Sequence, residues 1–123
     1  MAEHNDFGKQ AEDFSVTFLQ EKGYEIIARN FFYQKGEIDI IALFNNQIIV
    51  VEVKARNSTI FQEPYEAVNK RKIKLIVSAA DAFVQARNIK ETVRFDIISV
   101  LKEKDGKLNA THIEDAFEAF DAN

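Results

Sequence analysis

The sequence predicts an α/β domain in which a mixed sheet lies between helices. Three observations predict it. Apolar residues recur at helical spacing in two stretches, one near the start and one between residues 68 and 87. Short runs rich in Ile, Val, Phe and Tyr stand between and after them. Within those runs, Ile40-Ile41 and Ile48 to Val51 are apolar on both faces, so their sheet needs cover on both sides.

The elements follow in order. Phe7, Ala11, Phe14, Phe18 and Leu19 form one stripe, which predicts an amphipathic helix over residues 5–22. Asn5 or Asp6 can cap its start, and Gly23 closes it. Residues 24–33 read as a strand, and Gln34-Lys35-Gly36 as a turn. Residues 37–43 and 47–56 read as two more strands joined at Asn45-Asn46, since Asn tolerates the positive φ of a tight primed turn. Residues 57–62 are a polar loop. Pro64 suits the first turn of a second helix, which Val68, Leu75, Ile76, Ala79, Phe83 and Val84 carry to about residue 87. Residues 93–101 are a fourth strand. After a turn at residues 104–107, a fifth strand over 108–113 and a short helix over 114–120 complete the pattern. Three strands joined by tight turns make an antiparallel meander. The long helix then crosses over to a strand able to pair in parallel.

Length and composition bound the function. The 123 residues suit one domain, 1–123, and eleven Phe supply large core side chains. The chain contains no Cys, which excludes disulfides and thiolate metal sites. No stretch approaches the roughly 20 apolar residues of a membrane span, and the start lacks the pattern of a secretory signal. A soluble cytoplasmic protein is the expectation. The net charge of −4 argues against nucleic-acid binding as a bulk property. Yet seven basic residues between Lys70 and Arg94 face two acids, Asp81 and Glu91. Such a local basic face can meet phosphates, although a solvated helix face is the simpler account.

Four residues are out of place in the central hairpin. With Asn45 and Asn46 as loop residues, Phe44 faces Gln47, Asp39 faces Glu52, and Glu37 faces Lys54. Alternation then projects all four from one face. Opposed Cβ atoms lie about 4.5–5.5 Å apart, so Asp39 and Glu52 would be like charges in contact. Either Lys54 and Arg56 neutralise the acids in an ion-pair network, or a divalent cation does. Mg²⁺, or Mn²⁺ in its place, takes a few carboxylate oxygens with waters and substrate phosphate. Asp39 and Glu52 fit that donor set, and the Val53 carbonyl can add an oxygen. Lys54 could then orient or deprotonate an attacking water, or stabilise charge on a phosphate. Glu12 borders the apolar stripe of the first helix. It is either a third carboxylate aimed at Asp39 and Glu52 or a surface residue beside Asp13, and periodicity alone favours the surface.

The chain resembles the YraN-like family of small bacterial proteins, placed in the PD-(D/E)xK nuclease superfamily near Holliday-junction resolvases. The likeness runs from Gly8-Lys9-Gln10-Ala11-Glu12 through KGYEIIARNFF (residues 22–32), GEIDIIA (36–42) and VVEVKAR (50–56). It continues through EAVNKRK (66–72), RFDIISV (94–100) and HIEDAF (112–117). It implies a restriction-endonuclease-like fold. Residue by residue, Asp39 matches the first acid of the superfamily motif, Glu52 and Lys54 its Glu-x-Lys, and Glu12 the helix-borne acid. Ala11 stands where the family commonly has Gly, and Ile38 where Pro often precedes the Asp.

Arg56, Lys70, Lys72 and Lys74 are the candidates for phosphate contacts, which give affinity without sequence information. Arg94, Phe95 and Asp96 read as a structural trio, and His112 as a surface or packing residue. The expectation is a Mg²⁺- or Mn²⁺-dependent endonuclease on DNA, including branched DNA, with Glu12, Asp39, Glu52 and the Val53 carbonyl at the metal and Lys54 at the reacting phosphate. A homodimer would suit a two-fold junction. The alternatives are an inactive nucleic-acid-binding module and a structural or protein-interaction domain.

Overall fold

A computed structural model describes residues 3–57 and 69–122. The chain runs α1 (Glu3–Glu21), β1 (Glu25–Tyr33), β2 (Gly36–Phe44), β3 (Gln47–Asn57), α2 (Lys70–Ala86), β4 (Thr92–Lys102), β5 (Leu108–Phe117) and a terminal 3-10 helix (Ala119–Ala122). Among the described residues the five strands form one sheet in the order β1-β2-β3-β4-β5. β3 and β4 pair in parallel and the other neighbours antiparallel. The predicted mixed sheet between helices is therefore present. No helix of the described residues is long and apolar enough to cross a membrane.

Local chemistry explains most boundaries. Asn45 and Asn46 have φ of 51° and 60°, the left-handed pair that a primed hairpin turn requires. Gly23, at φ 92°, ends α1, with the Tyr24 N–H returning to the Leu19 carbonyl at 3.0 Å. α1 already includes Asn5 and Asp6, so neither is its cap as expected. α2 starts later than expected. Asn69 is extended (φ −93°, ψ 175°) and its side chain accepts the Lys72 N–H at 2.9 Å. An extended Asn69 interrupts any single helix from Pro64 to residue 87, and Pro64 and Val68 lie outside the described residues.

The end of the chain also differs. Residues 114–117, expected in a helix, continue β5 beyond a register shift opposite Phe95 and Ile97. Asp115 absorbs that shift at φ 54°, and its N–H donates to the buried Asp96 carboxylate at 2.9 Å. Phe117 thereby returns to stack on Phe95, with ring centroids 5.1 Å apart.

Two cores sandwich the sheet. On one face Ile40, Ala42, Ile49, Val51, Ile98 and Val100 pack under Ala11 and Leu19 of α1. On the other, Ile38, Ile41, Ile48 and Val50 pack under Ile76, Ala79, Ala80 and Phe83 of α2. Ile38 breaks the alternation, because it shares a face with Ile41 and not with Ile40. The strand pair turns over at Asp39, opposite Asn30, which sits at φ 51° between the pairs Arg29–Ile40 and Phe31–Ile38.

A buried polar network ties β4 to β5. Arg94 donates to both oxygens of Asp96, through Nε at 2.9 Å and Nη2 at 2.8 Å, and Nη2 also donates to the Tyr24 hydroxyl at 2.8 Å. His112 Nε2 lies 2.7 Å from Asp96 and its Nδ1 lies 2.8 Å from Lys22 Nζ. An ammonium only donates, so Nδ1 accepts and Nε2–H points at Asp96. The structural reading of Arg94 and Asp96 holds, and His112 packs edge-on against Phe18 and Tyr24.

Candidate active site

β2 and β3 pair from Phe44–Gln47 as far as Ile40–Val51 and then part. The hairpin register is the one the sequence predicts, but the ladder stops one residue before Asp39 and Glu52. Asp39 fills the break. Its Oδ2 accepts the Val53 N–H at 2.7 Å, taking the place of a strand carbonyl. A strand residue turns its N–H and C=O toward the same neighbour, so the Val53 carbonyl faces this gap as well.

The carboxylates of Asp39 and Glu52 line one cleft of about 220 Å³ on the α2 side, with Gly36, Glu37 and Lys72 around them. A larger cavity of about 450 Å³ lies at the other end of the strands, beside Gln47, Val93 and Phe117, away from this pair. α2 reaches the cleft because Gly36 lets it. A Cβ there would stand 2.6 Å from the Leu75 carbonyl oxygen. Lys72, one turn before Leu75, consequently meets the buried Glu52 in an ion pair.

Charge is unevenly compensated. Burial, then the neighbouring Glu52 charge, push the Asp39 carboxyl up to about 8, against the Val53 N–H that favours its charged form. Burial and the adjacent Lys72 hold the Lys54 ammonium below its ordinary value, with Glu52 and Asp39 opposing. For Lys72, burial acts downward and is the largest single influence, but the bond to Glu52, its charge, and the contacts with Lys54 and Asp39 together outweigh it, so the net shift is upward. Arg56 follows Lys54 on this strand face by alternation. Its Nε and Nη1 are buried and have no hydrogen-bond partner among the described residues.

Two expected neighbours find other partners. Glu37 borders the cleft, but the face inversion at Asp39 breaks the alternation that would have set it opposite Lys54. Glu37 pairs with Phe32 on β1, and the Asn30 amide donates to its carboxylate at 3.3 Å. Glu12 borders a second cleft on the α1 side with Asn30, Glu37 and Asp39, but not Glu52. Its carboxylate accepts from Arg29 Nε at 2.8 Å and from the Asn30 amide at 3.0 Å. Nothing in the sequence signals that Arg29 and Asn30 engage Glu12, since the contact depends on where α1 docks. Lys70 and Lys74 are exposed on α2, near the cleft's Lys72.

Among the described residues no three His, Cys, Asp or Glu side chains gather as a metal cluster. Two carboxylates and a backbone carbonyl still match the hard oxygen donors of Mg²⁺, which keeps waters and substrate oxygens in its remaining positions.

The family model described as "Uncharacterised protein family UPF0102" matches residues 11–100, which include Asp39, Glu52, Lys54 and Lys72. A UPF0102 protein of Flavobacterium psychrophilum is 48% identical over 98% of this chain and 100% of its own length. One of Bacteroides thetaiotaomicron is 47% identical over 95% and 96%, and one of Phocaeicola vulgatus 44% over 95% and 96%. The chain belongs to the uncharacterised protein family UPF0102, the YraN-like family that its motifs resemble.

Proposed function

We propose that this protein is a divalent-cation-dependent endonuclease that hydrolyses DNA phosphodiester bonds, with branched DNA as its substrate class. The observation that carries the reading is the cleft at the parting of β2 and β3. It joins Asp39 and Glu52; the Val53 N–H is bound to Asp39, and Lys54 feels the charge of both acids. Asp39, Glu52 and the Val53 carbonyl would hold Mg²⁺ or Mn²⁺, and Glu12, sharing the second cleft with Asp39, would complete the acidic surround. Bound there, the cation supplies Lewis-acid charge for the phosphate and its attacking water.

The chain's own groups do the rest. Lys54, biased toward its neutral form, accepts a proton from the water or, charged, steadies the phosphate oxygens. Arg56 carries buried N–H groups without a partner among the described residues, and such groups are costly until an anion meets them. A backbone phosphate is that anion, and Lys70 and Lys74 extend the contact along α2. A homodimer would place two such clefts on a two-fold junction.

The test is cleavage of junction, flap and single-stranded DNA with Mg²⁺ or Mn²⁺. Wild type cuts, and Glu52→Gln and Lys54→Ala do not. Cutting that persists in both variants removes the reading.

The Lys72–Glu52 pair favours a second reading, in which the acids are architectural and the protein only binds nucleic acid. Calcium titration separates the two. An ion-induced rise in melting temperature that Asp39→Asn abolishes supports the first, and no rise supports the second.

A further inference from the structure

Lys72 belongs to the first turn of α2, and its Nζ meets the carboxylate of Glu52 in the cleft. We propose that Lys72 is a displaceable counter-ion. It neutralises Glu52 while no divalent cation is bound, and it yields the carboxylate when one arrives, which frees its ammonium for the incoming phosphate. The proposal rests on the reading of Asp39 and Glu52 as cation ligands.

The first support is the charge arrangement. Glu52 has a cationic partner, whereas Asp39 has the Val53 N–H and, among the described residues, no ion pair. One cation shared by both carboxylates leaves Lys72 redundant at Glu52. Its ammonium is then a second positive charge beside Lys54.

The second support is mechanical. The α2 backbone is pinned at Gly36 by the close approach of Leu75. Lys72 ends in a flexible four-carbon stem, and its side chain is 38% exposed. The ammonium can therefore leave Glu52 by rotamer change alone while the helix stays in place.

The third support is the setting of that helix turn. Lys70, Arg71 and Lys72 occupy it, and it contains no acidic residue. A helix N-terminus disfavours added positive charge. Glu52 is the anion that offsets this for Lys72, and once a cation occupies Glu52 a phosphate is the natural replacement.

The test titrates the full chain with Mn²⁺ alone, read by loss of the free-ion paramagnetic signal. It also follows the Lys72 Nζ resonance of ¹⁵N-labelled wild type as Mg²⁺ is added. Lys72→Met should bind Mn²⁺ at least ~10-fold more tightly, because a competing charge in contact with the carboxylate is gone. Lys72→Arg should bind like wild type, and the Nζ resonance should move on Mg²⁺ addition. Equal or weaker Mn²⁺ binding by Lys72→Met, with Glu52→Gln impaired, overturns the counter-ion and leaves the cation site standing. Binding unchanged in both Asp39→Asn and Glu52→Gln removes the cation site and the proposal with it. Should Lys72→Met not fold, the wild-type resonance decides, and a signal unmoved at saturating Mg²⁺ overturns the proposal.

Discussion

The Asp39 carboxylate accepts the Val53 backbone N–H at 2.7 Å, at the point where β2 and β3 part. A side chain thus substitutes for a main-chain acceptor and holds the mouth of the cleft open. The cost of this arrangement is electrostatic, and it is measurable as a pH dependence.

The ordinary Asp39 value of 3.8 is raised to about 8 in the fold. Between those values the folded chain keeps a proton that the unfolded chain has released. This contribution to stability is fully present below the lower value and is lost as pH rises through the upper one. Metal-free wild type should therefore lose stability from pH 5 to pH 8. Asp39→Asn should flatten that slope and gain about 1–3 kcal/mol at pH 8, as removal of a strained functional charge commonly does. Thermal unfolding at the two pH values checks it, and a wild type without the slope contradicts it.

Asp96 behaves in the opposite way. Burial raises its carboxyl, but His112, Arg94 and the Asp115 N–H together outweigh burial and hold it below its usual value. Its contribution is present above the ordinary carboxylate value and fades as pH falls through the lowered one. Asp96→Ala removes the two-pronged partner of Arg94, whose side chain is 15% exposed and keeps, among the described residues, only Glu114 at 3.7 Å and the Tyr24 hydroxyl. The expected loss is about 3–5 kcal/mol, read by denaturant unfolding. A loss near that of a surface substitution would show the network to be dispensable.

Gly36→Ala probes how α2 is seated. The new Cβ would meet the Leu75 carbonyl oxygen at 2.6 Å, so the helix must retreat. The expected cost is about 1–3 kcal/mol in denaturant unfolding. A retreating α2 also pulls Lys72 from Glu52, so Mn²⁺ affinity should change with stability. Neutral behaviour in both would mean that the methyl is accommodated without moving α2 from the cleft.

Arg56→Ala separates binding from folding. Removing buried N–H groups that have no partner among the described residues should leave stability equal or higher. Binding of junction DNA in Ca²⁺ should weaken alike for all sequences, and the salt slope should drop by about 1. Unchanged DNA binding would relocate the phosphate contacts to Lys70 and Lys74.

What the sequence determined by itself is local. Asn45-Asn46 demands a primed turn, and the turn sets which residues of β2 and β3 pair. The period-two and helical apolar patterns then give the strands, the crossover and a sheet covered on both faces. Asp39, Glu52 and Lys54 were legible as misplaced polar groups in that pattern. Tertiary structure decided the rest. Alternation assumes an unbroken pleat, and the inversion at Asn30 and Asp39 breaks it, pairing the Glu37 carboxylate with the Asn30 amide. Helix docking gave Glu12 to Arg29 and Asn30, and Lys72 to Glu52. Each of these contacts spans residues distant in sequence, and its partner is chosen by how helix and sheet pack, which no local pattern encodes.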